Sequence, residues 1–148
     1  MDVIRFYRPT DPWGEFSNFS PHQVSLDGRP WPTSEHRFQA QKFAGTPYEE
    51  EIRLAPTPMD AARLGRDRTR GLRKDWYAVR DAVMREVLVA KFTQHPDLLE
   101  LLLSTGDALL VEHTRNDRYW ADGGDGSGSN RLGLLLMELR EQLRGANA

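Results

Sequence analysis

Residues 31–43 combine a carboxylate, an amide and an ammonium at a spacing that a helix would turn in one direction. Glu35, Gln39 and Lys42 share one face of such a helix, because side chains three and four positions apart are neighbours on its surface. Glu35 falls in the first turn, where the helix dipole favours an ionised carboxylate. An ionised carboxylate suits the stabilisation of a positively charged sugar, or the positioning of a water, better than it suits proton donation.

Three kinds of side chain along the chain match the needs of a nucleoside or nucleotide site. An aromatic ring stacks on a base, an arginine binds phosphate, and a carboxylate stabilises the sugar as its glycosidic bond breaks. The acids are Glu35, Asp117 and Asp122, the rings are Trp13, Trp76, Tyr119 and Trp120, and the cations are Lys42, Arg66, Arg73 and Arg131. Each ring could equally belong to the core, and Trp76 fits the apolar stripe of a predicted long helix, which favours a core role for it.

A basic cluster occupies residues 63–74, where six arginine and lysine side chains accompany a single acid, Asp67. In a chain of net charge −2 this cluster indicates a local anion site or a solvated loop, because charge runs are common on protein surfaces. The sequence leaves both interpretations open.

A glycine-rich stretch at residues 116–130 leads directly into the last predicted helix. It holds four glycines and three aspartates. A glycine-rich turn before a helix can hold a phosphate on free backbone N–H groups, although the spacing matches neither a P-loop nor a dinucleotide fingerprint. The alternative is a flexible loop, against which Tyr119 and Trp120 argue.

Size and composition set further limits. The 148 residues suit one domain, predicted as 1–148, and the small net charge gives no general attraction to nucleic acid. Without cysteines, the chain has neither disulfides nor thiolate ligands. No apolar run is long enough to span a membrane and no signal peptide is present, so a cytoplasmic location is expected. The four histidines show no ligand spacing, and we predict neither a metal nor another cofactor.

Local patterns predict a helix-rich α+β fold with a few short strands. Thr33 or Ser34 can cap the helix that carries Glu35, a helix that could also be an ordinary one on a solvated surface. Asp27-Gly28 predicts a hairpin turn. The predicted strands are 4–7, 23–26, 29–31 and 109–113, and the further helices are 47–54, 57–65, 75–94, 97–104 and 131–143. Within the last helix, the leucines at 132, 135, 136 and 139 should form the buried face.

Several motifs in one order cover nearly the whole chain and resemble a known family. They lie at residues 16–19, 31–43, 64–66, 72–76, 91–92, 102–106, 117–120 and 122–136. In these segments the chain resembles the YbiA-like proteins, which are also called NADAR domains. The resemblance implies a helix-rich α+β fold and N-glycosidase chemistry.

The resemblance also implies roles for individual residues. Glu35 corresponds to a catalytic carboxylate, with Asp117 and Asp122 as pocket acids that complete the catalytic set. The implied substrate-binding residues are Asn18, Phe19, Lys42, Arg66, Arg73, Trp76, Trp120 and Asn130. One departure is Ala121, where the family usually has glycine, and its methyl group could restrict the backbone and alter specificity.

Three functions follow from the resemblance. The leading one is hydrolysis of phosphoribosylamino-pyrimidine intermediates of riboflavin biosynthesis, which releases ribose 5-phosphate. A second is removal of ADP-ribose from guanine bases, in which case nucleic acid would be a partner, although the near-neutral charge does not favour it. The third is a module that binds ADP-ribose or NAD without cleaving it.

Overall fold

The structure is a computed structural model that describes residues 2–146. In this part of the chain the strands are β1 (Val3–Phe6), β2 (Val24–Leu26), β3 (Arg29–Trp31) and β4 (Leu109–Glu112), with a 3-10 turn at Gly14–Phe16. The helices are α1 (Ser34–Gln41), α2 (Pro47–Arg53), α3 (Pro58–Gly65), α4 (Trp76–Gln94), α5 (Pro96–Ser104) and α6 (Arg131–Ala146). This inventory confirms the predicted helix-rich α+β class.

The chain forms two compact units. The central unit comprises residues 18–91, and the terminal unit comprises the residues before 18 and after 91. Helix α4 begins in the central unit, and its last residues belong to the terminal unit. That residues 1–148 form one domain stays a prediction.

The central unit begins with the predicted hairpin. Strands β2 and β3 pair antiparallel, with Val24 opposite Trp31. Asp27 and Gly28 both have positive φ, at 54° and 73°. Positive φ at both turn positions is the type I′ geometry that suits the twist of a two-residue hairpin. Strand β3 therefore ends just before α1 and sets where that helix begins.

Helix α1 is polar in sequence and yet buried along its whole length, from Ser34 to Gln41. The interpretation of this segment as a solvated surface helix is therefore wrong. Ion pairs offset part of the cost of this burial: Arg37 Nη2 pairs with Asp27 and Glu86 at 2.9 and 3.0 Å, while its Nε and Nη1 have no hydrogen-bond partner within residues 2–146. Arg37 also lies over the ring of Trp31, 4.9 Å from the centroid.

Two short helices pack against α1 within the same unit. Thr57 caps α3 by accepting a 3.0 Å hydrogen bond from the Asp60 N–H, as the Thr-Pro start predicts. Helix α3 ends at Gly65, which lies against the side chain of Gln39 on α1. A glycine at this point allows the two helices to approach closely.

The terminal unit is built on a parallel pair of strands, β1 and β4, with Val3 opposite Leu109. An aromatic cluster forms its core, with the Phe6 and Phe16 rings 5.7 Å apart and the Phe16 and Phe92 rings 6.0 Å apart. Helix α6 packs on β4 and α5. The four leucines predicted for its inner face are all buried, which confirms that pattern.

No helix within residues 2–146 is long and apolar enough to cross a membrane.

Candidate functional site

The start of α1 is fixed from both sides. Thr33 is the N-cap and accepts a hydrogen bond from the His36 N–H, as predicted. Asn18 holds the same turn: its backbone carbonyl accepts a 3.1 Å bond from the Glu35 N–H, and its side-chain oxygen accepts a 2.8 Å bond from the Ser34 hydroxyl. The position of Glu35 is thus set by a loop as well as by its own helix.

Glu35 is 8% exposed. Its Oε2 accepts a 2.7 Å hydrogen bond from Gln39 Nε2, which confirms that the two side chains share a helix face. Lys42, one turn further on, lies close enough for the Glu35 charge to act on it. Of the three side chains that the sequence predicts on one face, the carboxylate and the amide are therefore in contact.

Lys42 is half-buried beside an aromatic ring. Its Nζ lies 3.3 Å from the Gly65 carbonyl oxygen and 5.9 Å from the centroid of Trp76. Burial is the largest influence on the pKa of Lys42, and it lowers that pKa. The Glu35 carboxylate raises the pKa and the Arg66 guanidinium lowers it further, so the pKa of Lys42 lies below its usual value. Lys42 is therefore a cation that yields its proton more readily than an exposed lysine would.

A cavity of about 370 Å³ opens beside Lys42. Its lining residues are Lys42, Phe43, Gly65, Arg66, Asp67, Arg68, Leu72, Trp76 and Tyr77. We call it the basic cavity, because its lining has three cations and one carboxylate. The volume lies within the range of small-molecule sites, which is roughly 300–1,000 Å³. Glu35 does not itself line the basic cavity; its hydrogen-bond partner Gln39 lies against Gly65, which does.

The single acid of the basic cavity is occupied by its own loop. Asp67 accepts hydrogen bonds from the Thr69 N–H and hydroxyl at 2.9 and 2.6 Å and faces Arg70 Nε at 3.3 Å. Across residues 2–146, by contrast, no carboxylate lies within 4.0 Å of the Arg66 or Arg68 guanidinium. Both arginines are exposed at the cavity and available to an anion.

Arg73 is placed differently from Arg66. Both oxygens of Asp75 accept hydrogen bonds from its guanidinium, at 2.7 and 3.1 Å, and Arg73 does not line the basic cavity. The neighbouring carboxylate raises the pKa of Arg73. Of the two arginines predicted to bind substrate, only Arg66 therefore faces the basic cavity.

Two aromatic residues at the start of α4 contribute to the cavity wall. Trp76 is 4% exposed, and its ring meets Phe38 edge-on with 5.1 Å between centroids. Trp76 therefore belongs to the hydrophobic core and also lines the basic cavity. Tyr77 is 70% exposed and offers an open ring that was not among the predicted site residues.

Phe19, also predicted to bind substrate, is half-buried and outside the cavity lining.

In the terminal unit, Asp117 organises its own turn. Its Oδ1 accepts hydrogen bonds from the N–H groups of Tyr119 and Trp120, both at 2.8 Å. The Tyr119 and Trp120 rings then meet edge-on, 4.8 Å apart. These hydrogen bonds of Asp117 fix the backbone conformation of the turn that carries Trp120.

Asp122 is also held by its surroundings. Its Oδ2 lies 2.7 Å from His113 Nδ1, while its Oδ1 accepts bonds from the Thr114 and Gly124 N–H groups at 3.1 and 2.8 Å. Burial pushes the pKa of Asp122 upward, but the hydrogen bonds from His113, Gly124 and Thr114 outweigh it and hold the pKa below its usual value. His113 was not predicted as its partner.

Two backbone N–H groups at the start of α6, where the sequence predicts a phosphate site or a flexible loop, already have partners within the chain. The N–H groups of Arg131 and Leu132 already donate to the carbonyls of Tyr119 and Trp120, at 2.9 and 3.1 Å. The preceding loop is also hydrogen-bonded within itself, including Gly128 N–H to the Asp122 carbonyl at 2.8 Å. The helix N–H groups that would bind an anion are occupied by the chain itself.

Asn130 links α6 to β4. Its Oδ1 accepts a 3.1 Å bond from the Glu112 N–H, and its Nδ2 donates a 3.0 Å bond to the Leu110 carbonyl. Its φ is 49°, which asparagine tolerates better than most residues. Both ends of the amide are thus used inside the terminal unit.

Ala121 does not strain the loop. It is fully buried and is not among the residues with positive φ, so its backbone does not need glycine. Its carbonyl accepts a 2.9 Å bond from the Asn130 N–H. The expected backbone restriction is therefore not present, and an effect on specificity stays a prediction.

Comparison with known proteins adds to this geometry. The model of the NADAR domain family matches residues 5–144. N-glycosidase YbiA of Escherichia coli is 60% identical over 141 residues, which cover 95% of this chain and 88% of that protein. A riboflavin biosynthesis protein of Vibrio vulnificus is 43% identical over 141 residues, which cover 95% of this chain and 38% of that longer protein.

A solved structure agrees in fold. The NMR structure of the E. coli protein YbiA has a TM-score of 0.92 and 57% identity, and the match covers 99% of this chain and 87% of that one. The motifs that first indicated the family thus lie in one framework along nearly all of the sequence. The chain belongs to the NADAR domain family.

Proposed function

We propose that this protein is an N-glycosidase, a hydrolase that cleaves the N-glycosidic bond of phosphoribosylamino-pyrimidine intermediates of riboflavin biosynthesis. The observation that carries the proposal is the chain of contacts from Glu35 through Gln39 to Gly65, which lines the basic cavity together with Lys42. The names of the E. coli and Vibrio vulnificus relatives, an N-glycosidase and a riboflavin biosynthesis protein, support the reaction and the substrate class.

The reaction adds water across the bond between the sugar C1′ and the amine nitrogen. C1′ takes the hydroxyl, and the nitrogen takes the proton and leaves with the bonding electrons. Positive charge develops on the sugar as the bond breaks. Glu35 is the carboxylate that stabilises this charge or orients the water, since it is buried next to the cavity and fixed by Gln39.

The cations of the basic cavity match the phosphate of the substrate. Arg66 and Arg68 are the exposed pair, and arginine binds phosphate through two parallel N–H groups. Tyr77 offers a ring for the pyrimidine, with Trp76 behind it. Lys42 lines the same cavity and adds a third cation near the phosphate.

Other predicted roles stay predictions. They are the catalytic roles of Asp117 and Asp122, the substrate contacts of Asn18, Phe19, Arg73, Trp120 and Asn130, and the cytoplasmic location.

A product assay tests the proposal. Purified protein is mixed with the phosphoribosylamino-pyrimidine and, separately, with ADP-ribosylated guanosine, and released ribose 5-phosphate or ADP-ribose is followed by mass spectrometry. We expect release from the pyrimidine, and a loss of at least about 100-fold in Glu35→Gln, which keeps the side-chain shape without the charge. Circular dichroism and the melting temperature establish that the variant is folded.

The other outcomes are equally clear. Release of ADP-ribose from the guanosine adduct alone would show that the protein removes ADP-ribose from guanine and does not act on the pyrimidine. Binding without release from either compound would leave a binding module. Full turnover in Glu35→Gln would remove Glu35 from the mechanism.

A further inference from the structure

Gln39 places its amide between the Glu35 carboxylate and the backbone of Gly65. Its Nε2 donates the 2.7 Å hydrogen bond to Glu35 Oε2. Gln39 is 6% exposed, so both partners of this bond are buried. A buried hydrogen bond to a carboxylate fixes the direction of the carboxylate as well as strengthening the contact.

Gly65 holds the other end of the amide. A methyl group on Gly65 would lie 2.7 Å from Gln39 Cδ and would overlap Oε1. Gly65 is not among the glycines with positive φ, so it does not serve as a left-handed helix cap. Glycine is therefore needed at this position for the space that the Gln39 amide occupies.

The remaining atom of the amide has no partner. Across residues 2–146, no hydrogen-bond donor reaches Gln39 Oε1, although that atom is buried. Buried polar atoms normally have a partner, because an unsatisfied one destabilises the fold. The amide cannot turn over to relieve this, since Oε1 would then face the Glu35 carboxylate. The orientation in which Nε2 bonds the Glu35 carboxylate thus leaves one buried acceptor unsatisfied.

We propose that Gln39 is a positioning residue, which Gly65 locks in place and which aims the Glu35 carboxylate at the substrate. This inference rests on the proposed function, because Gln39 acts only through Glu35. The Gly65 carbonyl also lies 3.3 Å from Lys42 Nζ. Helix α3 thereby fixes the carboxylate and the ammonium of the site together.

Gln41 provides a matched control in the same helix. It is 8% exposed, and its Nε2 donates a 2.8 Å hydrogen bond to Glu49 Oε2. Gln39→Met and Gln41→Met therefore each remove one amide that bonds a carboxylate, but only the first affects Glu35. We expect kcat to fall about tenfold or more in Gln39→Met with KM within about twofold of wild type, and both constants to hold in Gln41→Met.

A double-mutant cycle separates positioning from packing. Asp at position 35 is one carbon shorter than Glu and no longer meets Gln39, so Gln39→Met should cause no further loss of kcat in the Glu35→Asp background. Gly65→Ala offers a second route, because its methyl group displaces the amide from the other side. We expect its kcat to fall as in Gln39→Met.

These measurements can overturn the inference in three ways. Equal kcat losses in Gln39→Met and Gln41→Met, a further loss in the Glu35→Asp background, or a wild-type kcat in Gly65→Ala would each do so. Turnover by Glu35→Gln is the separate result that would overturn the proposed role of Glu35. If Gln39→Met does not fold, Gly65→Ala and the Glu35→Asp/Gly65→Ala double variant decide.

Discussion

Thr33 Oγ1 lies 2.8 Å from Nδ1 of His36 and also accepts a 3.2 Å hydrogen bond from the His36 backbone N–H. His36 Nε2 lies 3.0 Å from the Ala55 carbonyl oxygen. Because a carbonyl only accepts, Nε2 carries the proton and Nδ1 accepts from the Thr33 hydroxyl. In its neutral form, the His36 imidazole thus uses both ring nitrogens inside the fold, one toward the cap of α1 and one toward Ala55.

This relationship predicts a loss of stability at acid pH. Burial lowers the pKa of His36 most, and the Ala55 carbonyl and the Asp60 charge only partly oppose it. As pH falls through 6.5, the unfolded chain takes up a proton that the folded chain refuses, so the free energy of unfolding decreases until the folded pKa is reached. His36→Gln should flatten this decrease, measured by urea unfolding at several pH values between about 8 and 5. An unchanged pH slope in His36→Gln would contradict the prediction.

The two predicted phosphate arginines should behave differently. Arg66 faces the basic cavity, whereas Arg73 is engaged with Asp75. We expect Arg66→Ala to raise KM for the phosphorylated substrate roughly tenfold, as loss of a charge-assisted hydrogen bond would, and to change KM for the dephosphorylated nucleoside much less. Arg73→Ala is the comparison variant: because Asp75 engages its guanidinium, we expect a smaller rise in KM for the phosphorylated substrate than in Arg66→Ala. Similar changes in the two variants, or equal weakening of both substrates by Arg66→Ala, would argue against a phosphate role for Arg66.

Local signals made much of this fold predictable. The Asp27-Gly28 turn and the Thr57-Pro58 helix start are short-range patterns, and both are confirmed in the structure. Short-range patterns succeed where the backbone preference of a few residues decides the conformation. The spacing of Glu35 and Gln39 succeeded for the same reason, because helical periodicity alone brings them together.

What the sequence did not reveal depends on distant partners. Helix α1 has the composition of a surface helix, and its burial follows from partners such as Ala55 and Glu86 that periodicity cannot identify. Arg66 and Arg73 look equivalent in the sequence, and only Asp75 distinguishes them. The amides at the start of α6 are taken by carbonyls of its own loop, which no spacing rule indicates.

Asp122 should matter for stability in a way that Glu35 does not. Asp122→Ala removes the acceptor of two backbone N–H groups and of His113, so we expect a loss of roughly 2–4 kcal/mol in the free energy of unfolding and a fall of roughly 5–10 °C in melting temperature. Because the folded pKa of Asp122 lies below 3.8, its contribution is present above pH 3.8 and is lost as pH falls through the folded pKa. Calorimetry at neutral pH checks the first expectation, and a wild-type melting temperature would contradict it.

At position 130, glycine should be tolerated better than alanine. Alanine and glycine both lose the hydrogen bonds to Glu112 and Leu110, but alanine also has to adopt a φ of 49°, which costs about 1 kcal/mol more. Asn130→Gly should therefore unfold at a higher denaturant concentration than Asn130→Ala, which is also the order that glycine and alanine follow at the start of a helix. Asn130→Asp keeps the acceptor for the Glu112 N–H but turns an oxygen toward the Leu110 carbonyl, so it should also be destabilised.

Urea unfolding of the three Asn130 variants, with KM measured on the folded protein, tests this order. We expect KM to stay within about twofold of wild type in each variant, because both ends of the amide serve the link between α6 and β4. Equal stability of the alanine and glycine variants would show that the positive φ at position 130 does not affect the free energy of unfolding. A rise in KM with unchanged stability would instead return Asn130 to the substrate-binding role that the resemblance implies.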